Sequence, residues 1–145
     1  MKILVDADAC AGKDIIENVA RKNNVPVKMY CDLNHVLDSD YSSVEYVDSG
    51  FQSVDMYLIN NTEKGDIVVS QDYGVAAMAL GKNAYAISPK GYIYSNDNID
   101  KLLFERHISS KVRRSGGKTC NPKKRTKEDD HRLEKNLLEL IHSFH

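Results

Sequence analysis

Two aspartates one residue apart, Asp6 and Asp8, close a short apolar run in ILVDADACAGKDII at positions 3 to 16. A buried strand gains nothing from such a pair, because like charges at short range disfavour one another's ionisation. Two readings follow: the carboxylates start the next helix, or they belong to an anionic site that holds something positive. Asp72 ends a second apolar run, DIVVSQD, and Asp55 falls in the first turn of a helix predicted from Val54 to about Glu63. Crowded acids become favourable around a hard divalent cation, since Mg²⁺ or Mn²⁺ takes a few carboxylate oxygens and keeps several waters. An ion held that way activates a water against a phosphodiester and stabilises the leaving oxygen. Ser70 and Gln71, beside Asp72, are suited to hydrogen-bond a phosphate or such a water.

Each acid also has a structural reading. Asp8 can cap the first helix, Asp72 can cap YGVAAMAL, and Asp55 can answer the positive end of its own helix. Asp6 is harder to explain in this way, since it ends a buried strand with a second carboxylate close by. Cys10 lies at a helix start, a position that can lower a thiol pKa, but no histidine is near it in sequence to act as base. A small buried cysteine is the simpler reading. The three cysteines are an odd number without a CxxC pair, against both a disulfide framework and a thiolate zinc site.

The net charge of −1 hides an asymmetry. Residues 1 to 105 carry nine Lys or Arg against sixteen Asp or Glu, whereas residues 106 to 127 carry nine basic residues and no acid. Lys111, Arg113, Arg114, Lys118, Lys123, Lys124 and Arg125 form the densest part of this strip and are the candidate phosphate contacts. The alternative is a solvated linker. Few aromatics interleave the strip, so base stacking is not expected from it.

The elements that must position these residues follow from periodicity. Residues 2 to 6 read as a strand, and KDIIENVARKN places Ile15, Ile16, Val19 and Ala20 at helical spacing before Asn23-Asn24 stops the helix. VPVKMYC and VEYVD are strands, and a helix from Val54 runs until Gly65 ends it. DIVVSQD is a further strand, YGVAAMALGK a helix closed by Gly81, and NAYAIS a strand. PKGYIYSND reads as a turn with a short extended piece; Asn96 or Asp97 then caps a helix from about Ile99 through Val112. RRSGGKTCNPKKR has linker composition. The last segment starts with Thr126-x-x-Asp129, near a capping box, and sets Leu133, Leu137, Leu140, Ile141 and Phe144 on one face.

This alternation predicts a three-layer α/β/α domain with a mostly parallel central sheet over residues 1–115, and a basic linker with a C-terminal amphipathic helix over residues 116–145. Ligands in such sheets bind beyond the carboxyl ends of the strands, where the winding direction reverses. Asp6 and Asp8 leave the first strand at that edge and Asp72 leaves the fourth. With those strands adjacent, the acids share one crevice that Asp55 can reach. The N-terminus turns acidic too soon for a signal peptide and no apolar run is long enough to span a bilayer, so a cytoplasmic protein without a membrane partner is expected.

The blocks ILVDADAC, VPVKMYCDLNHVLDSDYSSVEYVDSGFQSVDMYLIN, GDIVVSQDYGVAAMALGKNAYAISPKGYIYSNDNID, ERHISSKVRRSGG and PKKRTKEDD resemble the bacterial YaiI/YqxD family over nearly the whole chain. That family usually reads Cys-Pro-Val after the second aspartate, where this chain has Cys10-Ala11-Gly12. It is similar in fold to PIN-like and NYN-like nucleases. The resemblance implies that Asp6, Asp55 and Asp72 match the strand-end aspartate, helix acid and second strand-end aspartate that hold Mg²⁺ or Mn²⁺ in those proteins.

Together these readings predict a divalent-metal-dependent, nuclease-like protein acting on RNA. Asp6 and Asp72 are the catalytic residues and main ligands, Asp8 and Asp55 complete the site, and the basic strip holds the phosphate backbone. Two alternatives stay open. One is a non-catalytic module that binds RNA or a ribonucleoprotein. The other is a haloacid-dehalogenase-type phosphatase in which Asp6 of Asp6-Ala7-Asp8 attacks phosphorus.

Overall fold

The computed structural model describes residues 1–7, 10–32, 39–48, 50, 53–114 and 124–143, and for 106–114 the backbone alone. Its elements are β1 (Ile3–Asp6), α1 (Lys13–Lys22), β2 (Val27–Asp32), β3 (Ser43–Val47), α2 (Val54–Asn60), β4 (Ile67–Val69), α3 (Tyr73–Gly81), β5 (Tyr85–Ile87), β6 (Ile93–Tyr94), α4 (Asn96–Arg114) and α5 (Lys127–His142). Among the described residues the sheet runs β3-β2-β1-β4-β5-β6. All neighbouring pairs are parallel except β5 with β6. The central register pairs Ile3 with both Val27 and Ile67, so β1 lies between β2 and β4.

Strand alternation divides the core into two layers. Ile3, Val5, Val27, Met29, Ile67 and Val69 face one side, where α1 brings Ile16, Val19 and Ala20 and α5 brings Leu133, Leu137, Leu140 and Ile141. Leu4, Tyr30, Val68 and Ala86 face the other side, covered by α2, α3 and the first part of α4. The β1–β2 crossover thus uses one face and the β3–β4 crossover the opposite face. The winding direction reverses between β1 and β4, as the chain leaves them at the same sheet edge.

The C-terminal helix buries its apolar stripe in the same core as α1, the reason its pattern is so regular. Phe144, expected on that stripe, lies outside the described residues. Two glycines let the helix come close. A Cβ on Gly12 would stand 2.5 Å from Leu133 Cδ2, and one on Gly91, at φ +90°, would stand 2.4 Å from the Leu133 amide nitrogen. Three successive carbonyls of the β5–β6 turn then each accept from this segment: Pro89 from Arg125, Lys90 from Arg132 and Gly91 from Asn136.

Several boundaries differ from the pattern-based expectation. α4 begins three residues before Ile99 because Ser95 and Asn98 cap it reciprocally, side chain to backbone in both directions. Asn96 and Asp97 are therefore first-turn residues, not caps. α2 stops at Asn60 rather than running to Glu63, with Asn61 as its C-cap. The left-handed residue after α3 is Asn83, at φ 62°, and not Gly81. α5 starts with the full Thr126–Asp129 capping box.

Candidate functional site

Asp6 ends β1 half-buried at the edge where the winding reverses, and Oδ2 of its carboxylate lies 3.5 Å from the Ser70 hydroxyl on the neighbouring β4–α3 turn. That distance is at the long limit of a hydrogen bond. Ser70 is buried, and its hydroxyl oxygen accepts from the Asp72 backbone N–H at 3.0 Å. Its carbonyl accepts from the Tyr94 phenol at 3.2 Å. One serine therefore joins Asp6, the backbone of Asp72 and the edge strand β6.

Asp72 is the N-cap of α3, with Oδ1 accepting from Gly74 N at 2.8 Å and Val75 N at 3.4 Å. The capping reading of this residue is thus correct as far as one carboxylate oxygen goes. Asp55 lies in the first turn of α2, where Ser53 is the cap and accepts from Met56 N. Because β3 runs parallel to β1, the start of α2 falls at the same sheet edge as Asp6 and Asp72. Asp8 lies outside the described residues. α1 starts at Lys13 with Gly12 as its N-cap.

Among the described residues no three or more His, Cys, Asp or Glu side chains stand close enough together to hold a metal ion. The donors that the fold does bring to this edge are hard carboxylate oxygens, the type that suits Mg²⁺ or Mn²⁺. Cys10 is buried, and that burial raises its thiol pKa despite Lys13 and Arg125 nearby. It stays a neutral core thiol.

The basic candidates separate into different settings. Lys111, Arg113 and Arg114 lie on the last turn of α4, described for the backbone only, and Lys118 and Lys123 lie outside the described residues. Lys124 is exposed just before α5. Arg125 is committed to the fold: Nε donates to Asp130 at 2.7 Å and Nη1 to the Pro89 carbonyl at 2.6 Å. Its Nη2 is buried without a hydrogen-bond partner among the described residues.

Sequence reasoning passed over a cavity of about 530 Å³ beside the carboxylates, with Gln71 of the β4–α3 turn and Tyr73, the first residue of α3, in its wall. Lys90, Tyr92 and Tyr94 close it from the β5–β6 hairpin. The signal in the sequence is PKGYIY, two tyrosines and a lysine around a tight turn, read there only as a short extended piece.

The described chain is an open, mostly parallel α/β sheet with acids at the point where its winding reverses. The chain belongs to the family described as "Uncharacterized BCR, YaiI/YqxD family", whose model matches residues 4–143. It is 69 % identical over 141 residues to a UPF0178 protein of Clostridium tetani, covering 97 % of both chains. A UPF0178 protein of Clostridium kluyveri is 70 % identical over 141 residues, covering 97 % of this chain and 93 % of that one. Among solved structures, a mutant of Rae1 (YacP) from Bacillus subtilis aligns over 100 % of both chains with a TM-score of 0.45 and 15 % identity. Among the described residues no helix is long and apolar enough to cross a membrane.

Proposed function

We propose that this chain is a divalent-metal-dependent nuclease-like protein that hydrolyses phosphodiesters, with cytoplasmic RNA as its substrate. The observation that carries the reading is the link from Asp6 through the Ser70 hydroxyl to Asp72, at the crevice between adjacent parallel strands where the winding reverses. Asp6 and Asp72 would hold Mg²⁺ or Mn²⁺, with Asp55 and Asp8 reaching it directly or through water. When bound, the ion supplies a nucleophilic water and stabilises the leaving oxygen. The chain itself orients the carboxylates: β1 fixes Asp6 by its ladder, and the α3 amides hold Asp72. The Ser70 hydroxyl stands between the Asp6 carboxylate and the Asp72 backbone N–H. The basic residues from Lys111 to Arg114, with Lys118, Lys123 and Lys124, would engage the phosphate backbone.

Calorimetric titration of Mn²⁺ into the wild-type protein and into Asp6→Asn and Asp72→Asn variants tests the reading. Stoichiometric binding lost in both variants, with Mn²⁺-dependent cleavage of RNA by the wild type, is the expected result. A second reading, a non-catalytic RNA-binding module, is favoured by the bonds that already engage Asp72 in capping α3. It predicts RNA binding that neither EDTA nor Asp6→Asn alters, and no cleavage.

A further inference from the structure

The cavity next to the carboxylates has a wall chemistry of its own. Three tyrosines line it, Tyr73, Tyr92 and Tyr94, and the charged residues that line it, among those described, are the cations Lys90 and Arg125. In a body with an excess of acids, a cavity with cationic and aromatic walls selects a ligand that is both anionic and aromatic. Its volume, about 530 Å³, lies within the range of small-molecule sites, roughly 300–1,000 Å³.

The walls are firmly held. Tyr92 is 55 % exposed and carries the Arg132 guanidinium 4.2 Å from its ring centroid, which fixes the ring as a platform. Tyr73 and Tyr94 meet edge to face at 5.8 Å. Arg125 is clamped by Asp130 and the Pro89 carbonyl. The cavity also shares a turn with the carboxylates, since Tyr94 donates to the Ser70 carbonyl while the Ser70 hydroxyl touches Asp6. Gln71, between Ser70 and Asp72, stands in the wall.

We infer that this cavity binds one nucleotide, the base against the tyrosine platform and the phosphate toward Lys90 and Arg125. Aromatic rings stack on any base, so the site takes purines and pyrimidines alike. The nucleotide is either free or one residue of a single strand whose backbone continues past Ser70 to Asp6. In that substrate role the inference rests on the nuclease reading above.

Binding is measured on the full chain with EDTA present, using AMP and UMP in one arm and a short single-stranded RNA with 2′-O-methyl riboses in the other. Binding in either arm is expected, and the arm that binds more tightly identifies the source of the nucleotide. Tyr92→Ala should weaken it by about tenfold or more, the scale of one lost stack. Lys90→Gln should weaken it and flatten its salt dependence. Tyr46→Ala, removing an exposed tyrosine on the opposite edge strand, should leave it unchanged. No binding in both arms, or binding that survives Tyr92→Ala and Lys90→Gln, overturns the inference. So does an equal loss in Tyr46→Ala. Because binding is measured with EDTA and cleavage in a separate assay with Mn²⁺, a wild type that binds but does not cleave sinks the nuclease reading and leaves nucleotide binding standing.

Discussion

The Ser70 hydroxyl lies 3.5 Å from the Asp6 carboxylate, across the seam where parallel strands β1 and β4 meet and the chain reverses its winding. The same oxygen accepts the Asp72 amide, so one buried serine touches both the Asp6 carboxylate and the Asp72 backbone. Ser70→Ala leaves that amide without its acceptor. A loss of about 1–2 kcal/mol is expected in urea unfolding, the usual scale for a buried donor left unpaired. Mn²⁺ affinity should fall with it.

Asp72 has a capping role and a proposed ligand role, and two substitutions separate them. Asp72→Ala removes the acceptor for Gly74 N and Val75 N and should cost about 1 kcal/mol in stability. Asp72→Asn keeps a cap and should unfold near the wild-type midpoint. Mn²⁺ binding should be lost in both. Retained Mn²⁺ binding in Asp72→Asn would remove Asp72 from the ligand set.

At the opposite end of the sheet, Asp66 joins the starts of β1 and β4. Its side chain is 4 % exposed, lies 2.7 Å from Lys2 Nζ and accepts the backbone N–H groups of Lys2 and Glu63. Asp66→Ala leaves two amides without their acceptor and the Lys2 ammonium with only the longer pair to Glu63, at 3.7 Å, and about 3 kcal/mol of stability should go. Chemical denaturation measures it. Metal and nucleotide binding, at the other edge, should be unchanged under conditions where the variant stays folded.

The docking of α5 depends on Gly91 for both its positive φ and its closeness to Leu133. Gly91→Ala should cost at least about 2 kcal/mol, combining backbone strain with overpacking. Urea unfolding should show the lower midpoint.

Stability should fall at both ends of the pH scale for different reasons. The Thr126 amide, and then Arg132, hold the Asp129 carboxyl below its ordinary value of 3.8. The unfolded chain takes up this proton at higher pH than the folded one, so the contribution is present above that value and is lost as pH drops through the folded pKa. Tyr30 is shifted the other way: burial first, and then Glu45, push its phenol from 10.0 up to about 12. Its contribution is present below pH 10 and fades as pH rises toward 12. Urea midpoints across pH should show Asp129→Asn flattening the acid limb and Tyr30→Phe the alkaline one. The Tyr30 hydroxyl is buried without a partner among the described residues, so Tyr30→Phe should cost nothing at neutral pH.

Much of the fold was legible because period and punctuation are local properties. The run ILVD, the repeat of Ile16, Val19 and Ala20, and the Thr126-x-x-Asp129 cap each declare their element within a few residues. Boundaries were less legible where side chains compete for the same backbone group. Ser95 takes the cap of α4 ahead of Asn96 and Asp97, a choice that depends on Asn98 facing back toward it.

The site divides in the same way. Sequence alone determined the alternating strands and helices, the parallel sheet and the presence of acids at strand ends, because buried strands need apolar runs and an acid is tolerated only where such a run stops. Tertiary structure decided which acids share a neighbour, since pairing β1 with β4 sets Ser70 between Asp6 and Asp72, residues 66 positions apart in the chain. It also turned Arg125 from one charge in a basic strip into a clamped wall of a cavity, as the Pro89 carbonyl reaches it only once α5 has docked. Contacts between distant segments leave no periodic trace in a chain, and only the packed core brings them together.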